Sequence, residues 1–224
     1  MNRLVVLASG NGSNLQAVLD ACVEGRLPAT VAAVVSNKAG SGALQRAADS
    51  GVPFVHVGAH RDEPRSDYDA RLADVVSGFG PDWIVLAGWM RILTMSFLGW
   101  FPDMVLNLHP ALPGELPGVD AIERALHEAH AGLRISTGVL VHLVPDEGVD
   151  TGPALGTVVV DIDPDDTLES LATRVHEAEH DLLVEVLSDL CRRRSAGSAT
   201  DEQQPGSGRS DAGASPDHLE RVVS

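Results

Sequence analysis

Short apolar runs alternate with helical patterns over the first half of the chain, and this alternation limits the possible folds more than any other feature. The runs cover residues 4–8, 31–36, 54–57, 83–87 and 105–108, and helical patterns cover 15–24, 41–49 and 68–77. Mostly unbroken apolar runs are typical of strands that are buried on both faces. The pattern therefore predicts a doubly wound α/β domain, with a mostly parallel central sheet and helices on both faces.

The order of elements loosens after residue 108. A Pro-rich loop at 110–117 precedes a helix at 121–130, strands at 138–144 and 155–160, and a last helix at 168–191. No repeat of fixed period occurs in residues 1–194, which favours one domain over that range. Residues 195–224 are rich in Ser, Gly, Ala, Asp and Gln with few apolar side chains, so we expect a disordered tail there.

Charge and apolar run length exclude several classes of function. Lys and Arg total 16 against 32 for Asp and Glu, and the net charge of −16 opposes binding to nucleic acid or to an anionic membrane surface. The longest apolar runs fall far short of the roughly 20 residues that cross a bilayer. Cys22 and Cys191 match no metal or redox spacing. We expect a cytoplasmic protein with no membrane or nucleic-acid partner.

A glycine-rich turn follows the first predicted strand and leads directly into a helix. It reads Ser-Gly-Asn-Gly-Ser-Asn over residues 9–14. Such a turn exposes backbone N–H groups at a helix N-terminus, which suits phosphate. The third glycine of a dinucleotide fingerprint would fall at Leu15, so a mononucleotide or sugar phosphate fits better. The alternative is a plain strand-to-helix turn capped by Ser13 or Asn14.

Asn107 and His109 form the strongest local signal for chemistry, at the end of a predicted strand. Strand alternation places both side chains on the same side of the chain, and ligands usually bind at such strand ends in an α/β sheet. An amide donor beside an imidazole meets the needs of acyl transfer, namely oxyanion stabilisation and proton transfer. No nucleophile elbow accompanies them, which favours direct transfer. A capping Asn beside a structural His is the alternative.

The acidic loop at 145–153 contains a possible partner for His109. If Asp150 folds back near His109, its carboxylate orients the imidazole and favours the charged ring; the alternative is a solvated turn. We interpret His142, on the preceding strand, as a core or rim histidine. His176 and His180 have the i, i+4 spacing of metal ligands but lack the His-Glu-x-x-His order, so we predict no metal site.

Four segments together resemble the phosphoribosylglycinamide formyltransferase family. They are residues 9–16, 87–93, 107–110 and 146–153, and the resemblance runs in order over about residues 1–190. It implies a Rossmann-like formyltransferase fold over residues 1–194. It also implies transfer of the formyl group of 10-formyltetrahydrofolate to the amine of glycinamide ribonucleotide, in de novo purine (IMP) biosynthesis, without a metal. The assembly expected is a monomer or homodimer.

The resemblance also implies roles for individual residues. Asn107 and His109 would stabilise the tetrahedral oxyanion, and Asp150 would pair with His109 and help to remove the amine proton. The substrate phosphate and ribose would be held by Gly12, Ser13, Asn14 and Glu179. The folate pocket would be formed by Met90, Arg91, Ile92, Leu93 and Val144, with Arg65 on the glutamate carboxylate of the folate.

The chain departs from the family pattern at three places. The loop at 110–118 has an altered sequence, Asp120 stands where a histidine is common, and one extra residue separates His142 from Asp150. These departures leave two alternatives open. One is a folate-dependent formyltransferase for another amine acceptor, and the other is a non-catalytic protein that binds a sugar phosphate or folate.

Overall fold

The architecture is a seven-stranded sheet with helices on both faces, seen in a computed structural model that describes residues 1–201. The strands are β1 (Asn2–Leu7), β2 (Ala29–Ser36), β3 (Phe54–His56), β4 (Trp83–Leu86), β5 (Val105–His109), β6 (Ser136–Leu143) and β7 (Ala154–Asp161). The helices are α1 (Ser13–Val23), α2 (Gly42–Asp49), α3 (Arg65–Ser77), α4 (Met95–Leu98), α5 (Ala121–His130) and α6 (Leu168–Asp201). The predicted α/β fold is confirmed.

The sheet has the order β3-β2-β1-β4-β5-β6-β7. Its first five strands are parallel, whereas β6 runs antiparallel to β5 and β7 antiparallel to β6. The strand order reverses between β1 and β4, and in such sheets ligands bind at this switch point, beside the carboxyl ends of the strands. The glycine-rich turn after β1 and the end of β5 both lie along that edge.

The first strand shows why unbroken apolar runs predicted a sheet covered on both faces. Along β1, Leu4 and Val6 join one apolar cluster, with buried residues of α1, α2, α5 and α6. Val5 and Leu7 point the other way, into a second cluster with α3 and α4. Successive side chains of a strand point to opposite faces, so a fully apolar strand needs a cover on each.

Two helices differ from the sequence predictions. Helix α4 is a single turn, too short for apolar periodicity to reveal it. Helix α6 continues beyond the predicted end at residue 191 to Asp201, and so into the segment for which composition predicted disorder. The remainder of that predicted tail, 202–224, lies outside the described residues. Among helices of the described chain, none is long and apolar enough to cross a membrane.

Candidate active site

Strand β5 supplies the first two residues of the site. Asn107 and His109 lie at the end of β5, which is paired with β4 on one side and β6 on the other. The register partners of Asn107 are Leu86 in β4 and His142 in β6. Asn107 is half-buried and His109 is buried. Because hydrogen-bonded strands flank both sides, the backbone at this point of the sheet is fixed from two directions.

Asp150 reaches the same place from the acidic loop between β6 and β7. Its Oδ1 accepts a hydrogen bond from Asn107 Nδ2 at 3.0 Å, and its Oδ2 accepts one from the Gly118 backbone N–H at 2.9 Å. His109 Nδ1 lies 3.3 Å from Asp150 Oδ2. The loop adopts a rare backbone conformation here, with φ at +54° for Asp150. A non-glycine residue in this region is strained, and such strain is concentrated at functional sites.

His142 belongs to this cluster, a position that sequence reasoning missed. It is buried, as expected of a core or rim histidine, but its Nε2 lies 3.2 Å from Asn107 Nδ2. Its Nδ1 lies 2.7 Å from the Leu143 carbonyl oxygen, which only accepts. A proton on Nδ1 is donated to this carbonyl, while Nε2 faces both the Asn107 amide and, at 3.6 Å, Asp150 Oδ1. The register of β5 against β6, which sequence alone does not give, creates this contact.

The altered loop after β5 meets the second nitrogen of His109. His109 Nε2 lies 3.1 Å from the Leu116 carbonyl oxygen, and Leu116 has φ at +44°. Nδ1 faces the Asp150 carboxylate, so both ring nitrogens point at oxygen acceptors. Each ring nitrogen can donate to the oxygen that it faces when it carries a proton.

The surroundings of Asp150 keep its carboxyl group charged. Burial by itself raises the pKa of Asp150, but three groups outweigh it: His142, the Gly118 N–H and the charge of His109. The net effect is a pKa below the ordinary aspartate value of 3.8. A carboxylate next to two imidazoles and a backbone donor is stable as an anion and can accept a proton only transiently.

These catalytic candidates line one cavity of about 560 Å³ together with the residues predicted to bind folate. The second group consists of Met90, Arg91, Ile92, Leu93 and Val144. Asp120 also lines the cavity, as the exposed residue that precedes α5, with φ at +57°. Among residues 1–201, no group of three or more His, Cys, Asp or Glu side chains could hold a metal ion.

Arg65 is outside the cavity lining and contacts residues 90–93 of that lining, a segment named the wall here. Its guanidinium donates a hydrogen bond to the Ile92 carbonyl oxygen. At the start of the same wall, the Met90 N–H donates to Ser9 Oγ at 3.0 Å. Arg91 stacks on the Tyr68 ring, with 4.4 Å between its guanidinium carbon and the ring centroid. Side chains from outside the wall therefore hold its backbone, at the Met90 N–H and at the Ile92 carbonyl.

The glycine-rich turn after β1 forms a second part of the site, outside that cavity lining. Gly12 has φ at +80°, and a Cβ there would come within 2.8 Å of Ala43 Cα, so glycine is required. Asn14 Nδ2 donates to Glu179 Oε2 at 3.2 Å, which brings α1 and α6 together. The turn and Glu179 are thus neighbours, as a sugar-phosphate subsite requires.

Glu179 is buried and accepts a side-chain hydrogen bond from Asn14. It is 6% exposed, and burial raises its pKa to about 7, while the hydrogen bond from Asn14 opposes the rise. A buried carboxyl group without a cation beside it loses hydration and gains little in return. Glu179 therefore changes its charge close to neutral pH.

Comparisons with known proteins agree over most of the chain. Residues 2–187 match the family model described as formyl transferase. The chain is 40% identical over 200 residues to a phosphoribosylglycinamide formyltransferase from Dictyostelium discoideum, with 84% of this chain and 97% of the relative covered. It is 37% identical over 185 residues to one from Escherichia coli, with 83% and 85% covered.

Solved structures give the same result. A phosphoribosylglycinamide formyltransferase from Bacillus halodurans matches with a TM-score of 0.79 and 32% identity, over 84% of this chain and 95% of that one. A glycinamide ribonucleotide transformylase from Geobacillus kaustophilus matches with a TM-score of 0.77 and 39% identity, over 85% and 98%. Both likenesses extend over nearly the whole described chain.

Proposed function

The chain belongs to the formyl transferase family, among its phosphoribosylglycinamide formyltransferases, and we propose that Asn107, His109 and Asp150 carry out its reaction. The activity is transfer of a formyl group to glycinamide ribonucleotide in purine biosynthesis. We infer that the donor is 10-formyltetrahydrofolate, used as a co-substrate without a metal. The contact of Asp150 with both other residues carries the proposal, because it joins a hydrogen-bond donor, an imidazole and a base at one point.

The cavity supports the place of the donor. Its wall from Met90 to Leu93 has two exposed apolar side chains, Met90 and Ile92, which suit a flat aromatic group. The catalytic residues lie in the same cavity, so the formyl carbon of a bound donor would come within their reach. Arg65 binds the Ile92 carbonyl through Nη2, and we assign its other N–H donors to the folate glutamate.

The transfer step follows from these groups. The neutral amine of the substrate attacks the formyl carbon, a C–N bond forms, and the formyl C=O pair moves onto oxygen. The Asn107 amide and the His109 imidazolium stabilise that oxyanion. Asp150 takes the proton that the new ammonium group loses, through water, and His109 donates a proton to the departing folate nitrogen. The oxyanion pair then re-forms the C=O bond, and the C–N bond to the folate breaks with its pair on the folate nitrogen. The substrate amine has lost one proton and the folate nitrogen has gained one.

The altered loop sets a condition on this step. His109 Nε2 lies within hydrogen-bond distance of the Leu116 carbonyl oxygen. If the ring donates its proton from Nε2 to the leaving nitrogen, it gives up that carbonyl, and the loop at 110–117 moves away. Donation from Nδ1 would instead break the contact with Asp150. The first route keeps the contact between His109 Nδ1 and Asp150 Oδ2 through the reaction.

The acceptor would bind at the glycine-rich turn. Backbone N–H groups at the start of α1, near Gly12, Ser13 and Asn14, suit a phosphate group. Glu179 lies beside Asn14 and offers carboxyl oxygens to ribose hydroxyls. We also propose a cytoplasmic setting and no nucleic-acid partner, supported by the net charge of −16. The expectation of a monomer or homodimer stays a prediction.

The test is formyl transfer from 10-formyltetrahydrofolate, followed spectroscopically with glycinamide ribonucleotide present and absent. Wild type, His109→Ala and the control His127→Ala, an exposed histidine on α5, are compared. We expect turnover that requires the ribonucleotide and is lost only in His109→Ala. Donor breakdown without the ribonucleotide would instead indicate another acceptor or hydrolysis. Donor binding without turnover in the wild type would favour a non-catalytic binding protein.

A further inference from the structure

Asp69 is a fully buried acidic residue that the reaction does not use. It lies on α3, and its Oδ2 accepts a hydrogen bond from the Thr94 backbone N–H at 2.7 Å. Thr94 directly follows the cavity wall at 90–93 and immediately precedes α4. A buried carboxyl group is costly unless its contacts repay the loss of hydration. The position of Asp69 therefore calls for an explanation at the end of the wall.

Asp69 is part of a face of α3 that contacts this wall repeatedly. Arg65, Tyr68 and Asp69 are spaced i, i+3 and i+4, so they lie on one side of the helix. Arg65 binds the Ile92 carbonyl, and Tyr68 lies under the Arg91 guanidinium. Tyr68 is itself fixed, because its hydroxyl donates to the Val57 carbonyl at 2.8 Å. Arg65 is exposed and Tyr68 contacts the wall by stacking, whereas Asp69 is a buried side chain that accepts from the backbone N–H directly after the wall.

The wall is held at both of its ends. At the start of the wall, the Met90 N–H donates to Ser9 Oγ. Directly after the end of the wall, the Thr94 N–H donates to Asp69 Oδ2. Between these anchors Met90 and Ile92 are exposed at the cavity, while Leu93 is buried in the core. Ser9 belongs to the glycine-rich turn, where the substrate phosphate is proposed to bind. Of the two anchors, the Asp69 contact is therefore the one outside that turn.

The Asp69 site contains polar atoms that the described protein groups leave without partners. Among the described residues, Asp69 Oδ1 and Thr94 Oγ1 are buried without a hydrogen-bond partner. Each buried polar atom without a partner costs free energy, so such a group calls for an explanation. An apolar residue would fill the site without that cost but would leave the Thr94 N–H without an acceptor.

We propose that Asp69 is a positioning residue for the donor: its hydrogen bond to the Thr94 N–H holds the wall at 90–93 in the shape that binds the formyl-folate. The proposal rests on the assignment of that cavity to the donor. Asp69 does not touch the reacting atoms and acts through the backbone of the wall. Its loss should weaken donor binding and leave acceptor binding at the glycine-rich turn unchanged.

The test compares Asp69→Ala, Asp69→Asn and the control Asp74→Ala, an exposed aspartate on the same helix. Asn keeps a side-chain oxygen for the Thr94 N–H, whereas Ala does not. Wild-type transfer is measured first, so that failure of the proposed function is seen separately. For each variant, KM is measured for donor and acceptor, and hydrogen exchange is followed in the peptide that covers 90–95.

We expect Asp69→Ala to raise KM for the donor about tenfold, the size of one lost hydrogen bond to a charged group. KM for the acceptor should stay within about twofold, and exchange over 90–95 should accelerate. Asp69→Asn should have a donor KM close to that of wild type and equally slow exchange over 90–95.

Equal rises in both KM values, or an unchanged donor KM with a lower melting temperature, would overturn the proposal. Faster exchange in Asp74→Ala would do the same. If Asp69→Ala does not fold, Thr94→Pro, which removes the N–H and keeps the Asp69 carboxyl group, takes its place; we expect the same rise in donor KM, and an unchanged donor KM would overturn the proposal.

Discussion

Two carboxyl groups in the two parts of the site are held in opposite ways. Asp150 faces His109, His142 and the Gly118 N–H, and its pKa lies below the ordinary value. Glu179 has only the Asn14 amide beside it, and burial raises its pKa to about 7. The same functional group is thus a fixed anion in the cavity and a titrating group beside the glycine-rich turn. Neighbouring donors, more than burial, decide between these outcomes.

The difference suggests separate tasks. An anion paired with an imidazolium orients that ring and receives a proton during transfer, which is what Asp150 is proposed to do. A buried carboxyl group that ionises near neutral pH gains its hydrogen-bond partners when a ligand with hydroxyl groups binds, which is what Glu179 is proposed to do. Each task can be tested by changing the charge at one site while the other is left intact.

The largest effect is expected from Asp150→Asn. The amide has the shape of the carboxyl group but no charge, so His109 loses its ionic partner and the amine proton loses its acceptor. We expect kcat to fall about 10³-fold, within the range that a positioned acid–base group contributes. The control is Asp165→Asn, at an exposed turn residue. A kcat within about threefold of wild type would remove Asp150 from the mechanism.

Gly152→Ala tests how Asp150 is delivered. A Cβ at Gly152 would lie 1.8 Å from the Leu143 carbonyl oxygen, so the loop after Asp150 must shift away from β6. Asn107 and His109 stay in β5, and only the acidic loop moves. We expect kcat to fall about 10- to 100-fold, since small misplacements of catalytic groups have effects of that size. Gly40→Ala, where a Cβ meets nothing within 4 Å, is the control. Equal kcat in both variants would contradict this.

Glu179→Gln tests the second carboxyl group through stability. The raised pKa means that the folded protein keeps a proton that the unfolded chain loses above pH 4.5, so wild-type stability falls from about pH 4.5 to 7. The variant lacks this penalty and should be more stable than wild type at pH 8, by about 3 kcal/mol. Below pH 4.5 the difference should vanish. Denaturant unfolding across this range is the measurement.

The same variant has a smaller expected effect on binding. Gln keeps a carbonyl oxygen for Asn14 but loses the charge offered to the ribose, so KM for glycinamide ribonucleotide should rise about tenfold with KM for the donor unchanged. Glu177→Gln, at an exposed position on the same helix, is the control for both measurements. A stability difference that does not depend on pH would show that Glu179 is already charged in the folded protein.

The sequence predicted the parts of the site that regular structure supplies. Asn107 and His109 follow from strand alternation, and the glycine-rich turn from its place between β1 and α1. Asp150 needed the family resemblance, because no local pattern says which way a long loop folds back. His142 reaches Asn107 only through the register of an antiparallel pair, which depends on tertiary contacts.

Other features left no residue signal at all. The contact of His109 with Leu116 uses a backbone carbonyl, which any residue type provides. Helix α4 is one turn long, and the Asp69 contact joins it to α3 through a backbone N–H. The extension of α6 to Asp201 runs against its polar composition, which predicted disorder from residue 195.

The most direct test is a carbon NMR titration of the side-chain carboxyl groups, assigned with Asp150→Asn and Glu179→Gln. We expect the Glu179 carboxyl signal to titrate near pH 7 and that of Asp150 to remain ionised down to below its ordinary value of 3.8. Two groups that both titrate close to their ordinary values, near 4.5 and 3.8, would contradict the assignment of opposite roles to these two residues.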